Sequence, residues 1–335
     1  MIRISFLITG LLAFAITAVS GFALIPWLKK VKFGQTIKEI GPTWHQTKQG
    51  TPTMGGLMFY CGSLIGVCAG FSLLLSELKT IAGVVYTNQV VSLCISMLTA
   101  LGFGLIGFVD DYIKVVKKRN LGLKARYKIV GQIAVTAAFL YGQYVIGHIN
   151  TTVTVPFTSF SVELGMLYYP IVFLGIIFMV NAVNLTDGID GLCSSVSFVV
   201  ALGFMVISAA YGFYTNALFA VAIAGACAGF LVWNFYPAKV FMGDTGSMFL
   251  GGAVVAMAWA INRPEIILLS CIIYTCEALS VVIQVLYFKA THGKRIFKMS
   301  PIHHHYEMSG WSEVKIVTVF TAVRAIFAVL SYFAY

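Results

Sequence analysis

Residues 89–111 read QVVSLCISMLTALGFGLIGFVDD, an apolar run that stops abruptly at two adjacent carboxylates, Asp110 and Asp111. A helix needs about 20 predominantly apolar residues to cross the hydrocarbon of a bilayer, and this run supplies them. A carboxylate at the centre of such a helix costs roughly 2.5–3.5 kcal/mol, so an acidic pair at the end of the run marks where the hydrocarbon stops. The pattern repeats along the chain. Apolar runs of spanning length cover residues 4–26, 54–75, 89–109, 128–147, 165–183, 194–212, 217–235, 246–261, 266–288 and 314–334. All five aspartates of the chain lie where such a run ends: Asp110 and Asp111, Asp187 and Asp190 in NLTDGIDG, and Asp244 in FMGDTGS.

Composition agrees. Of 335 residues, 59% are apolar and 10% charged, and the mean hydropathy is +0.90. A water-soluble domain cannot cover that much apolar surface. The fold class is therefore all-α, a polytopic membrane protein of about ten transmembrane helices forming one domain over residues 1–335. The net charge of +10 does not point to nucleic acid, because the basic residues sit in short connections between apolar runs. The connections after odd-numbered runs hold seventeen Lys and Arg, and those after even-numbered runs hold only Lys79 and Arg263. By the positive-inside tendency the odd connections are cytoplasmic, both termini lie outside, and all five aspartates face the cytoplasm. The first run lacks the basic start and small-residue cleavage site of a signal peptide and reads as a retained span. The seven cysteines form no CxxC pair and read as small buried hydrophobes. Gly62, Gly66 and Gly70 form a small-residue stripe for close helix packing. The β-branched, alternating segment 148–164 predicts a short external hairpin.

Five stretches carry chemistry. Asp110 and Asp111 are neighbours, so on a helix their side chains point about 100° apart. One could serve a metal while the other acts as base or orients a nucleophile, or both could simply solvate a helix end beside Lys114. Asn181, Asn184, Asp187 and Asp190 recur at steps of three, with Gly188 and Gly191 interrupting a purely helical reading. Their amide and carboxylate oxygens suit Mg²⁺, a uracil ring or sugar hydroxyls; capping of two span ends is the plainer alternative. Asn234, Phe241 and Asp244 fall in WNFYPAKVFMGDTGS, where Asp244 is either an N-cap or a metal ligand at a helix N-terminus facing phosphate. SPIHHHYE holds His303, His304 and His305, which cannot all face one point. A three-ligand zinc site from this run is not expected; one or two of the histidines could donate hydrogen bonds to a diphosphate or assist proton transfer, and a surface loop near lipid headgroups is the plainer alternative. TKQGTPTMGG offers Lys48, Thr51 and Thr53 to phosphate oxygens but lacks the lysine of a nucleotide-hydrolysing loop. Acidic clusters for Mg²⁺, basic loops for anions and a location at the membrane boundary together fit phosphoryl transfer between a lipid and a water-soluble substrate.

TPTMGG, GFVDDYIKVVKKRN, NAVNLTDGIDGL, FMGDTGS and KMSPIHHHYE resemble, in order, the motifs of the bacterial phospho-N-acetylmuramoyl-pentapeptide transferases, within the wider polyprenyl-phosphate N-acetylhexosamine-1-phosphate transferases. The resemblance runs from about residue 20 to the C-terminus. It implies transfer of phospho-MurNAc-pentapeptide from UDP-MurNAc-pentapeptide to undecaprenyl phosphate, giving lipid I and UMP, in the bacterial plasma membrane with the catalytic face cytoplasmic. Carried over motif by motif, it implies Asp244 as the Mg²⁺ ligand and Asp110, Asp111, His303 and His304 as catalytic. Lys48, Thr53, Lys128, Asn184, Asp187, Asn234, Phe241, Gln284 and His305 then bind substrate. No nucleic acid is expected, and a homodimer is left open. The nearest rival is a sister transferase that takes UDP-GlcNAc. A proton-coupled transporter predicts acids near mid-span and related halves, whereas the aspartates gather at one face and only Glu277 lies within a run.

Overall fold

The structure is a computed structural model and describes residues 4–31, 48, 50–78, 85–116, 122–147 and 149–334. Among these, ten long helices coincide with the ten apolar runs: α1 (Ile4–Lys30), α2 (Leu57–Leu78), α3 (Val85–Val116), α4 (Ala125–Val145), α5 (Tyr168–Thr186), α6 (Leu192–Ala210), α7 (Tyr214–Asn234), α8 (Gly243–Ala260), α10 (Ile272–Ala290) and α12 (Glu313–Phe333). Two short helices, α9 (Ile267–Ser270) and α11 (Ile302–Glu307), complete the set. The basic residues Lys32, Lys38, Lys79, Lys117, Lys118 and Arg119 lie outside the described residues.

Eight of the long helices are long and apolar enough to cross a membrane; α4 and α8 fall short of that measure. The reasons differ. Helix α4 opens with Arg126 and Lys128, so its first turns belong to the polar boundary. Helix α8 is enclosed by protein: every residue from Thr245 to Ala260 is buried. A helix that meets other helices instead of lipid needs small residues for close approach more than large apolar ones. It packs chiefly along α3 and also against α5; α7 joins α1 to α6, α12 lies along α6, and α10 along α5.

The glycine stripe of α2 does what its spacing predicts. A Cβ at Gly62 would collide with Thr17 Oγ1, and one at Gly66 would stand 3.0 Å from the Ala13 Cβ, so α1 and α2 pack at backbone distance. The ninth run is not one continuous helix. Its first part forms a single turn at Pro264–Ile266 and then α9, and the chain breaks at Cys271 before α10 begins.

The predicted hairpin is present as β1 (Thr152–Thr154) and β2 (Ser161–Glu163), antiparallel, with Thr152 opposite Glu163 and Thr154 opposite Ser161. It connects the far end of α4 to α5. Both ends of the described chain lie at that same end of the bundle. Ser5 donates its N–H and hydroxyl to Glu77 at the close of α2, at 3.1 and 2.9 Å. The Ala334 carbonyl accepts from the Phe157 N–H at 2.9 Å. The aspartates occupy the opposite end.

Candidate active site

Asp110 and Asp111 stand on the last two turns of α3, and their 100° separation gives them different partners. Asp111 faces the N-terminus of α8, where its Oδ2 accepts the Thr245 backbone N–H at 2.8 Å and the Thr245 hydroxyl at 2.7 Å. Asp110 faces the end of the α3–α4 connection, just before α4: Oδ1 accepts the Leu123 N–H at 2.9 Å, and Oδ2 lies 2.5 Å from Lys114 Nζ. Both carboxylates are buried.

Asp244, in the first turn of α8, completes the group. Its Oδ2 lies 2.9 Å from Lys128 Nζ and 3.2 Å from Lys114 Nζ, and its Oδ1 accepts the Asn184 amide at 3.0 Å. The same amide donates to Ser247 Oγ at 2.7 Å. One oxygen each from Asp110, Asp111 and Asp244 falls within 4.8 Å of the others. Three carboxylates at a helix N-terminus, with two lysines against them, make a site of hard oxygen donors in a field that favours anions alongside a cation.

Two glycines permit this closeness. A Cβ at Gly107 would lie 2.0 Å from the Asp244 carbonyl oxygen, so α3 carries no side chain where α8 begins. Gly243 has φ of +71°, and a Cβ there would stand 2.5 Å from Asp111 Oδ2 and 2.8 Å from Thr53 Oγ1. Thr53 reaches the site because its loop is stitched to the one before α8. Phe241 N–H donates to Pro52 O at 2.8 Å, and Gly55 and Gly56 N–H donate to Phe241 O and Met242 O at 2.9 Å each.

Asp187 ends α5, lies deep in the protein and keeps part of its surface open. Burial, and then the negative charges of Asp244 and Asp111, push its carboxyl up to about 8. The cluster thus holds more carboxylates than its two lysines neutralise, and a divalent cation suits it.

The remaining predicted residues fall in two neighbouring groups. Lys48 Nζ sits between Asp190 Oδ1 and Glu313 Oε2, at 2.7 Å from each. Asp190 Oδ2 also accepts the Ala238 N–H at 2.9 Å, which gives Asp190 a structural role in joining loops. Asn234 is buried with both ends of its amide engaged: its oxygen accepts from Gly191 N–H and Ser194 Oγ, both at 3.2 Å, and its nitrogen donates to Val240 O at 3.0 Å. Gln284 Oε1 accepts the Ile296 and Phe297 N–H groups at 3.2 and 2.9 Å. The three histidines face three partners. His303 Nδ1 meets Glu277 Oε2 at 2.9 Å, His304 Nδ1 meets Glu307 Oε2 at 2.5 Å, and His305 Nδ1 accepts the Lys298 N–H at 3.1 Å.

The structure therefore gathers Asp110, Asp111, Asp244, Lys128, Asn184 and Thr53 directly. Asn234, Gln284 and Lys48 use their polar groups within the protein. Sequence reasoning did not single out Lys114, Thr245, Glu277, Glu307 or Glu313 for the site. Lys114 was accessible, since it follows Asp110 by one helical turn; the other four depend on pairings between distant segments.

The chain matches the family model described as glycosyl transferase family 4 over residues 93–262. It also matches phospho-N-acetylmuramoyl-pentapeptide-transferase signature 1 over residues 48–59, the stretch that carries Lys48 and Thr53. A phospho-N-acetylmuramoyl-pentapeptide-transferase of Halalkalibacterium halodurans is 46% identical over 97% of this chain and 96% of its own length. The protein of the same name from Clostridioides difficile is 45% identical over 97% and 96%. That from Shouchella clausii is 44% identical over 96% and 94%. With relatives this similar along nearly the whole length, the chain belongs to the phospho-N-acetylmuramoyl-pentapeptide-transferase family, a family of phosphotransferases.

Proposed function

We propose that this protein, as a single transmembrane domain of a bacterial plasma membrane, transfers phospho-MurNAc-pentapeptide from UDP-MurNAc-pentapeptide to undecaprenyl phosphate at its cytoplasmic face. The products are lipid I and UMP. The observation that carries this reading is the meeting of Asp110, Asp111 and Asp244 with Lys114 and Lys128 at one end of an apolar bundle. A lipid acceptor reaches that end from the bilayer and a nucleotide sugar from water.

Mg²⁺ is the cation the donors fit. It takes oxygen ligands, needs few carboxylates and retains sites for substrate phosphates; Asp244 with Asp110 or Asp111 would hold it. Bound there, it would neutralise charge on the diphosphate. An oxygen of the lipid phosphate forms a bond to the sugar-proximal phosphorus, and the bond from that phosphorus to the bridging oxygen breaks, releasing UMP. Lys114 and Lys128 steer the anionic groups together and offset the charge that builds up on them. Both oxygens of Asp110 are held, by Leu123 N–H and by Lys114. That favours an orienting role over nucleophilic attack by Asp110, and a phosphate monoester is already largely ionised at neutral pH. Asn184, Asp187, Phe241 and Thr53 are assigned to the nucleotide and metal side, His303, His304 and His305 to the diphosphate, and Lys48, Asn234 and Gln284 to shaping the pocket. The match of residues 48–59 to the muramoyl signature supports the muramoyl substrate over UDP-GlcNAc.

The test is transfer of labelled sugar phosphate from UDP-MurNAc-pentapeptide, with UDP-GlcNAc in parallel, to a polyprenyl phosphate with Mg²⁺ or with chelator. Mg²⁺-dependent lipid product from the muramoyl substrate alone is expected. Product from UDP-GlcNAc instead, or full activity in Asp244→Asn, overturns the assignment.

A further inference from the structure

Glu277 is an acid in the interior of a membrane helix that the transfer chemistry does not require. It lies on α10, five to six residues from its start, with 0% of its side chain exposed. Placing a carboxylate there is costly unless it has a partner. Its partner is His303, which is also 0% exposed and contacts Glu277 Oε2 through Nδ1 at 2.9 Å. An ionised carboxylate only accepts hydrogen bonds, so Nδ1 carries the proton and Nε2 is the ring nitrogen left to act.

Nε2 is buried and has no hydrogen-bond partner among the described residues. Its position is defined by Gly188: a Cβ on Gly188 would lie 2.2 Å from Nε2. The ring edge is thus seated against the Asp187–Gly188 turn, next to the carboxylate cluster, where only a glycine leaves room for it. A buried polar atom without a partner in an otherwise well-paired site calls for a ligand. The neighbouring histidines do not substitute for it, because His304 is held by Glu307 and His305 by Lys298 N–H.

We propose that Glu277 is a positioning residue for the transfer reaction: across α10 and α11 it fixes the His303 ring so that Nε2 is presented at the Asp187–Gly188 turn to the bound nucleotide-sugar diphosphate. This deepens the transferase reading above and rests on it. Glu277 touches no substrate; it acts through His303 alone, as a carboxylate does when it sets the tautomer of a catalytic or metal-bound imidazole.

The experiment compares wild type, Glu277→Gln, Glu277→Asp, His303→Ala and the double variant E277Q/H303A in the full-length detergent-solubilised protein. Glu277→Gln should lower kcat about 10- to 100-fold, the range seen when a histidine loses its orienting partner, with KM for UDP-MurNAc-pentapeptide within about twofold of wild type. The double variant should be no slower than His303→Ala, and Glu277→Asp should recover part of kcat. Losses that multiply in the double variant, or full kcat in Glu277→Gln, overturn the proposal. A second readout does not need turnover: nitrogen NMR of histidine-labelled protein should show one ring, absent in His303→Ala, with its proton on Nδ1, and Glu277→Gln should shift that signal. An unshifted signal overturns the pairing itself. Wild type that shows this signal yet transfers no sugar phosphate sinks the transferase reading and leaves the Glu277–His303 pairing standing.

Discussion

Thr245 gives both of its donors, backbone N–H and hydroxyl, to a single oxygen of Asp111, at 2.8 and 2.7 Å. Asp111 belongs to α3 and Thr245 to α8, so this pair of hydrogen bonds fixes the end of one helix against the start of the other. It also commits Oδ2 and leaves Oδ1 as the Asp111 oxygen turned toward Lys114, 3.8 Å away. Asp244 is the residue before Thr245, so the same bond sets the spacing between two of the three clustered carboxylates.

Thr245→Val keeps the shape of the side chain and the backbone donor but removes the hydroxyl. A hydrogen bond to a charged group contributes about 1.5–3 kcal/mol. If that contribution orients Asp111 in the transition state, kcat falls about tenfold or more while Thr245→Ser stays near wild type. Steady-state transfer assays on the two variants check this, and equal activity in both would show that the backbone N–H alone suffices.

Gly107 bears a steric prediction. The atoms that a Cβ would meet are the Asp244 carbonyl oxygen at 2.0 Å and the Asp244 carbonyl carbon at 2.4 Å, and backbone cannot rotate out of the way. Gly107→Ala must therefore separate α3 from α8 and pull Asp244 from its partners. Overpacking of this kind costs about 1–3 kcal/mol or more, and activity should be lost with it. Gly175 on α5 is the control, since a Cβ there meets nothing within 4 Å; Gly175→Ala should leave both the unfolding midpoint and activity unchanged or slightly improved. Thermal unfolding in detergent, read beside turnover, separates the two.

Much of this layout was legible in the sequence because bilayer physics writes it there. The apolar runs became helices, the ninth broken at Cys271, and the five aspartates stand at helix ends while Glu277 and Arg324 lie inside α10 and α12. The angular split between Asp110 and Asp111 followed from adjacency on a helix, and the three histidines could not converge for the same reason. What could not be read was pairing across the bundle. Lys48 meeting Asp190 and Glu313, Glu277 meeting His303, and the enclosure of α8 depend on how helices cross, which no local pattern encodes. Asn234 and Gln284 show the same limit: their motifs marked them as polar and special, but only the fold reveals that their amides are spent on Gly191, Val240, Ile296 and Phe297.

Asp187 sets a pH dependence for the protein in chelator. Its folded carboxyl is raised to about 8, first by burial and then by Asp244 and Asp111, whereas an unfolded aspartate titrates near 3.9, an approximate reference value. Between those values the folded state holds a proton that the unfolded state has lost. Stability is therefore full below the lower value and declines as pH rises through the upper one. Asp187→Asn has no proton to lose, so its unfolding midpoint should exceed that of wild type from neutral to alkaline pH and converge with it only near and below the ordinary aspartate value. Thermal scans in chelator across that window test it, and parallel profiles for the two proteins would place the raised carboxyl elsewhere.

Arg324 predicts an unusual gain. It stands in the middle of α12, 0% exposed, with Nε, Nη1 and Nη2 all lacking a hydrogen-bond partner among the described residues. One of its nitrogens would lie 3.1 Å from a Cβ at Gly203, which seats the guanidinium against α6. A guanidinium keeps its charge, and a buried charge without a partner costs several kcal/mol. Methionine matches its length, bends to fill irregular space and has no charge to bury. Arg324→Met should therefore raise the unfolding midpoint in detergent, and activity should persist because no carboxylate of the site contacts Arg324 among the described residues. The opposite result, a lowered midpoint in Arg324→Met that Arg324→Lys restores, would show that the charge at this position is compensated and that α12 depends on it.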